Sequence, residues 1–281
     1  LVYTDLFGYM PPKPEKITFE VEEAIIPKFC AGKAVCNRVT AKCFINEKEF
    51  SFPFLATLPT DDKNIAYRAA KLFCDTIKCD DGIEIIIEKN IPVCAGLGGG
   101  SADGAAVLKA LNAMYDYPIE SKKLLEMGLK IGADVPFCII GKTCHAKGIG
   151  EHLIPFDSQL KACVALIKPD ADISTPAAYK AIDSLSYEHI DVNMVIDALK
   201  NNDKEKLKCY GANVFEYVCS PIHPEIIAIK EHFLKNGAFF SMMSGSGPTV
   251  FGLFENMQDA QNAVNSYDGI CQARHVCNLI I

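Results

Sequence analysis

Pro92-Val93-Cys94-Ala95-Gly96-Leu97-Gly98-Gly99-Gly100-Ser101-Ala102-Asp103 is the stretch on which the fold turns. Four of the five residues from Gly96 to Gly100 are glycine, so their backbone N–H groups stand clear of side chains. Upstream, Gly82 to Glu88 (GIEIIIE) is rich in β-branched residues and reads as a strand. Downstream, SADGAAVLKALNAMY reads as a helix starting near Ser101, with little bulk at Ala102, Gly104, Ala105 and Ala106. Strand, glycine loop and helix N-terminus in that order make a cradle for a phosphate chain, because loop amides and the positive helix end converge on one place. The small residues let another backbone or a ligand approach closely. The loop is not a Walker A sequence, since no Gly-Lys-Ser/Thr follows, nor a dinucleotide fingerprint, since the third glycine of G-x-G-x-x-G is absent. The plain alternative is a glycine run chosen for turn geometry alone. Ser101 serves as a helix cap, as a hydroxyl for a phosphate-bound Mg²⁺, or as both.

Working outward, the first sixty residues read as β-rich, in the runs KITFEVEEAII, NRVTAKCFIN and KEFSFPFLATL. From Asn64, NIAYRAAKLFCDTIK sets Ile65, Ala69, Leu72, Phe73 and Ile77 at helical spacing, with Asn64 as N-cap. Beyond the loop a third helix runs from about Ile119 to Ile131 and ends at Gly132, after which ADVPFCII reads as a strand. The second half opens with the strand KACVALIKP and continues through helices near 175–184, 190–200, 203–218 and 223–236. It returns to strand in SMMSGSGPTVFGLF and closes with a helix (MQDAQNAVNSY) and a strand (ARHVCNLII). Strands then helices, twice over, predict an α+β protein of two lobes, with a boundary at Pro155 and FDSQLK that gives 1–156 and 157–281.

The chain has 281 residues, 49% hydrophobic and 22% charged, the balance of a folded protein with a sizeable core. A net charge of -7 gives no footprint for nucleic acid or an anionic membrane. No apolar run reaches membrane-spanning length, and the start LVYTDLFGYMPPKPEK lacks the features of a signal peptide, so the expected location is cytoplasmic. The 13 cysteines are odd in number and contain no C-x-x-C pair, which fits buried thiols in a reducing compartment better than zinc or disulfides. Cys144 and His145 are neighbours, and in an extended run they point to opposite faces.

Two further segments carry chemistry. In Gly132-Ala133-Asp134-Val135-Pro136-Phe137 the acid has apolar neighbours, and a partly buried carboxylate needs a donor or cation to meet it. Asp134 is a general base or an orienting group for a substrate hydroxyl, or else it caps the loop's own N–H groups. Ser244-Gly245-Ser246-Gly247-Pro248-Thr249 is a glycine-rich turn ahead of VFGLF that closes over phosphates or merely turns the chain.

Together and in this order, these segments resemble the GHMP kinase superfamily, with its P-x-x-x-G-L-G-G-G-S loop and C-terminal glycine-rich turn. The finer resemblance is to the branch that uses ATP to phosphorylate the 2-hydroxyl of a cytidine-diphospho-methylerythritol in non-mevalonate isoprenoid precursor synthesis. It rests on IPVCAGLGGGSADGAAVLKALN, IGADVPFCIIGKTCHAKGIGEHLIPF, ISTPAAYKAID, ANVFE and MSGSGPTVFGLF, with DDKNIAYRAAKLF ahead of them. The resemblance implies a ribosomal protein S5 domain 2-like N-terminal lobe, a ferredoxin-like C-terminal lobe and a site in the cleft between them. It implies ATP and Mg²⁺, a small-molecule cytidine-diphosphate acceptor, and a monomer or homodimer. By the same resemblance, Pro92 to Ala102 wrap the ATP phosphates, with Asn64 and Lys89 near the nucleoside. Asp134 sits beside the acceptor hydroxyl, Tyr179 lies against the cytosine with Thr175 beside it, and Gly245 and Gly247 approach the methylerythritol and phosphates; without the resemblance, Tyr179 reads as a core residue on an amphipathic helix.

The family's opening A-x-x-K-x-N-L strand and G-Y-H turn have no match. The expectation is that this chain starts after them, lacks their lysine, and transfers phosphate slowly unless Lys33 or Lys89 substitutes. FCAGKAVCN has the wrong spacing to replace the missing motif. The rivals are another small-molecule kinase of the superfamily, against which ISTPAAYKAID and GADVPF argue, and a non-catalytic nucleotide-binding protein.

Overall fold

The structure, a computed structural model, describes residues 16–24, 36–44, 62–79, 82–88, 91–185 and 191–279. The expected strand KEFSFPFLATL lies outside them.

Three antiparallel strands, β1 (Lys16–Ala24), β2 (Cys36–Phe44) and β3 (Gly82–Glu88), form a sheet in the order β1-β2-β3, with Val39 opposite both Val21 and Ile87. The first helix, α1 (Ile65–Ile77), starts where Asn64 accepts the Ala66 N–H at 2.9 Å, which is the N-cap expected from the sequence. It buries Ala66, Ala69, Ala70 and Phe73, an i, i+3, i+4, i+7 stripe. The second, α2 (Gly99–Met114), begins two residues ahead of Ser101 and is buried on nearly every side. Its small residues have the expected use: a β-carbon on Gly104 would stand 2.6 Å from Ile65 Cγ2, so α1 and α2 approach closely only because that atom is missing.

After α3 (Ser121–Ile131) the structure departs from the sequence reading, because VPFCII is not a strand but a short helix, α4 (Val135–Ile140). Pro136 sits in its first turn, where a missing N–H costs nothing, and Gly141 closes it in the left-handed region at φ 63°. An apolar run of six shows no period that separates buried helix from buried strand, so these end signals decide. A hairpin follows, β4 (Cys144–Lys147) with β5 (His152–Pro155).

The C-terminal lobe is a four-stranded antiparallel sheet ordered β7 (Phe240–Met243), β8 (Val250–Phe254), β6 (Cys163–Pro169), β9 (Cys271–Asn278). Helices α5 (Thr175–Ile182), α6 (Val192–Asn201), α7 (Lys204–Tyr210), α8 (Glu216–Cys219) and α9 (Pro224–Lys235) come between β6 and β7. Helix α10 (Met257–Ser266) comes between β8 and β9, which completes the split βαβ arrangement of ferredoxin-like lobes. The single helix expected over 203–218 is two. The chain breaks at Gly211, where a β-carbon would come within 2.7 Å of the Leu207 carbonyl and the Phe240 ring.

Strand β6 is buried along its whole length and faces two ways. Cys163, Ala165 and Ile167 pack with Ile226, Phe233 and Ala263, while Val164 and Leu166 join the core that continues through Leu160 to α2 and α4. That second core crosses from one lobe to the other and fixes the cleft walls.

Candidate active site

The glycine loop and the glycine turn touch. Ser244 Oγ donates to the Gly96 carbonyl at 2.9 Å and the Thr249 N–H reaches the Ala95 carbonyl at 3.4 Å. Gly96 has φ +71°, and a β-carbon there would fall 2.2 Å from the Ser244 carbonyl oxygen and 2.9 Å from Gly247 N. Only glycine permits this approach.

Beside that contact lies a cavity of about 470 Å³. Its floor is the loop Pro92, Val93, Cys94, Ala95, Gly96, Leu97, Gly98, Gly99, Gly100 and Ser101; around it stand Asn64, Asp134, Thr175, Tyr179 and Gly245. Residues expected from five separate parts of the chain therefore share one concavity. Gly98 caps α2 at φ +67° and offers no side chain to close the helix end, and a β-carbon there would meet no atom within 4 Å. The positive end of a four-turn helix thus opens into the cavity at the glycines, as phosphate binding requires.

Not every expected residue faces the cavity. Ala102 is buried in the hydrophobic core beneath the loop. Gly247 lies against Gly96 and Met243 Sδ and is absent from the cavity wall. Asn64 lines the cavity but is buried and spends its carbonyl oxygen on α1. Lys89 lies outside the described residues, as does Lys33.

Asp134 takes the N-cap position of α4 without a capping bond from its side chain, so the capping alternative is not what the structure adopts. Its surface is open to the cleft, yet protein surrounds it closely enough that desolvation lifts the carboxyl above its ordinary 3.8. Tyr179 is 55% exposed and therefore no core residue; its ring meets Phe215 edge-on, centroids 4.9 Å apart. Thr175 Oγ1 lies 2.8 Å from Ser246 Oγ, which ties the start of α5 to the glycine turn.

The cavity also contains residues that sequence reasoning did not single out: Lys63, Ile65, Ile87, Asp103, Phe215 and Ser246. Phe215 had a signal, since ANVFE was read as a motif without a role. Asp103 had one too, as an acid on the same turns of α2 as Ser101.

Family models agree with this arrangement. One described as GHMP kinases N terminal domain matches residues 64–142, and one described as GHMP kinases C terminal matches 195–269. Fold and cleft therefore define a small-molecule kinase of the GHMP class, whose phosphate donor is ATP. The 4-diphosphocytidyl-2-C-methyl-D-erythritol kinase of Clostridium acetobutylicum is 46% identical over 205 residues, 73% of each chain. That of Exiguobacterium sibiricum is 41% identical over 225 residues, covering 80% of this chain and 79% of the relative. A crystal structure of a 4-(cytidine 5'-diphospho)-2C-methyl-D-erythritol kinase superposes with a TM-score of 0.68 at 26% identity, over 93% of this chain and 99% of the other. A homoserine kinase from Cytophaga hutchinsonii gives 0.76 at 19% identity, over 97% and 98%, a likeness of fold alone. The chain belongs to the 4-diphosphocytidyl-2-C-methyl-D-erythritol kinase family of the GHMP kinases. No described helix is long and apolar enough to cross a membrane.

Proposed function

We propose that this chain transfers the γ-phosphoryl group of ATP to the 2-hydroxyl of 4-diphosphocytidyl-2-C-methyl-D-erythritol in the cleft between lobes 1–156 and 157–281. The observation that carries this reading is the shared cavity: a phosphate cradle, a carboxylate and an exposed tyrosine line one space. The triphosphate lies along Gly96 to Ser101, where amides and the α2 dipole offset its charge. The cytosine stacks on Tyr179, with Phe215 behind the ring and Thr175 at the start of the same helix. Asp134 accepts the proton of the acceptor hydroxyl; that oxygen bonds to the γ-phosphorus as the bond to the β,γ-bridging oxygen breaks, releasing ADP. A carboxyl raised by desolvation suits this task, because a base works best with a pKa near the working pH.

Mg²⁺ fits the donors present: Ser101 and Asp103 offer hard oxygens on the cavity wall, and this ion needs one or two such ligands besides phosphate and water. When bound it supplies charge neutralisation at the β- and γ-phosphates. Lys63 brings a cation to the same wall. Cysteine usage supports a cytoplasmic location.

The test is turnover with ATP and each of three acceptors, the cytidine compound, homoserine and mevalonate. The cytidine compound should be the preferred substrate by kcat/KM. Preference for either of the others, or no turnover of the cytidine compound, overturns the acceptor assignment.

A further inference from the structure

Ala212-Asn213-Val214-Phe215-Glu216, which the mechanism leaves largely without a task, runs from the end of α7 into α8 beside the glycine turn. Asn213 spends its amide completely: Nδ2 donates to the carbonyls of Met243 at 2.8 Å and Gly245 at 2.7 Å, and Oδ1 accepts the Phe215 N–H at 3.0 Å. Glu216 accepts the Met243 N–H at 2.7 Å on one carboxylate oxygen and the Lys230 ammonium on the other. Both backbone groups of Met243, the last residue of β7, are thus held by side chains of this one motif. Between the two lies Phe215, whose ring abuts Tyr179.

We propose that Asn213 and Glu216 are positioning residues that hold the Gly245–Ser246 turn and the Phe215–Tyr179 wall as one rigid acceptor-side surface of the cleft. The turn needs such a brace: Gly245 and Gly247 sit at φ +54° and +83°, and glycines lose more freedom on ordering than any other residue. Fixing the Gly245 carbonyl toward Asn213 also turns the Ser246 N–H of the same trans peptide away from it, and Ser246 lines the cavity. The nucleotide loop touches the turn through Ser244 and Gly96 but has further support in α2, so the brace acts chiefly on the acceptor. This inference rests on the reading that Tyr179 faces the acceptor.

The experiment measures KM for ATP and for the cytidine acceptor separately, with kcat, in Asn213→Ala, Asn213→Asp, Glu216→Gln and Tyr179→Ala. Asn213→Asp keeps the acceptor for Phe215 N–H but loses both donors, so it isolates the bonds to the turn. Both Asn213 variants should raise the acceptor KM about tenfold, the scale of losing well-made hydrogen bonds, and leave the ATP KM within about twofold. Glu216→Gln still offers Met243 an oxygen but loses the ionic hold on Lys230, so it should raise the acceptor KM by less than the Asn213 variants do and leave the ATP KM unmoved. Equal rises in both KM values, or an unchanged acceptor KM, overturn the proposal. If Tyr179→Ala leaves the acceptor KM unmoved, the reading of the wall fails; if it raises that KM and the Asn213 variants do not, the brace alone fails. Should Asn213→Ala not fold, Asn213→Asp and Phe215→Leu decide, and failure of all three to fold assigns the motif to folding and overturns the proposal.

Discussion

At Gly98 a side chain has room but not the right backbone: open space surrounds the site, while φ +67° disfavours any β-branched residue. Gly98→Val should therefore fold, at a cost of about 1–3 kcal/mol of strain, and lose nucleotide binding because its methyls occupy the phosphate position. Unchanged ATP heats in a folded variant would remove the phosphate from the loop. Asp134 makes a two-sided prediction. In Asp134→Asn, kcat should drop by roughly 10²–10⁴ with ATP affinity retained. The folded protein holds this proton more tightly than the unfolded chain, so the carboxyl costs nothing below pH 3.8 and lowers stability as pH rises toward the elevated folded value. Asp134→Asn should match the parent's Tm in acid and exceed it at neutral pH; a lower Tm at neutral pH would mean that the carboxylate has a partner. Tyr179→Ala should weaken the acceptor by about 1–3 kcal/mol, with Tyr179→Phe tolerated and Tm hardly moved, since the ring is 55% exposed. Equal losses for ATP and acceptor would indicate a packing defect. Gly98 and Asp134 stood out because a glycine run and an acid among apolar neighbours are local signals, whereas Tyr179 was named only through the family resemblance. Phe215 facing Tyr179 was not legible, because nothing near either residue announces a partner so distant in the chain.

Among the elements, those with chemical end marks were the readable ones. Asn64 started α1, and the crowding of Ala and Gly foretold how closely α2 is approached. The segment VPFCII is too short to display a period, so nothing in it separated a buried strand from the short helix that Pro136 starts and Gly141 ends. The helix expected over 203–218 hid its interruption at Gly211, where the Phe240 ring, far along the chain, occupies the place of a side chain. Gly96→Ala would drive a methyl into the Ser244 carbonyl, 2.2 Å away, and should cost about 1–3 kcal/mol in denaturant unfolding while also weakening nucleotide. A variant as stable as the parent would show that the glycine loop and the glycine turn separate freely.

Two lobes were readable from blocks of strands and helices, whereas the sheet order was not, since it pairs Cys163 with both Phe254 and Asn278. One hydrophobic core joins the lobes, so the molecule should melt as a unit, and ATP at a hundredfold its Kd should shift the whole transition by about 2.7 kcal/mol. Two transitions of which only one moves would contradict this. The seat of Gly96 against Ser244 and Gly247 has a consequence for recombination. Each glycine segment is shaped by the backbone of the other, so they are inherited usefully only as a matched pair. A chimera that takes the first lobe from one relative and the second from another should assemble only when the pair still fits. Libraries of such hybrids would sort at that seam rather than at the linker between the lobes.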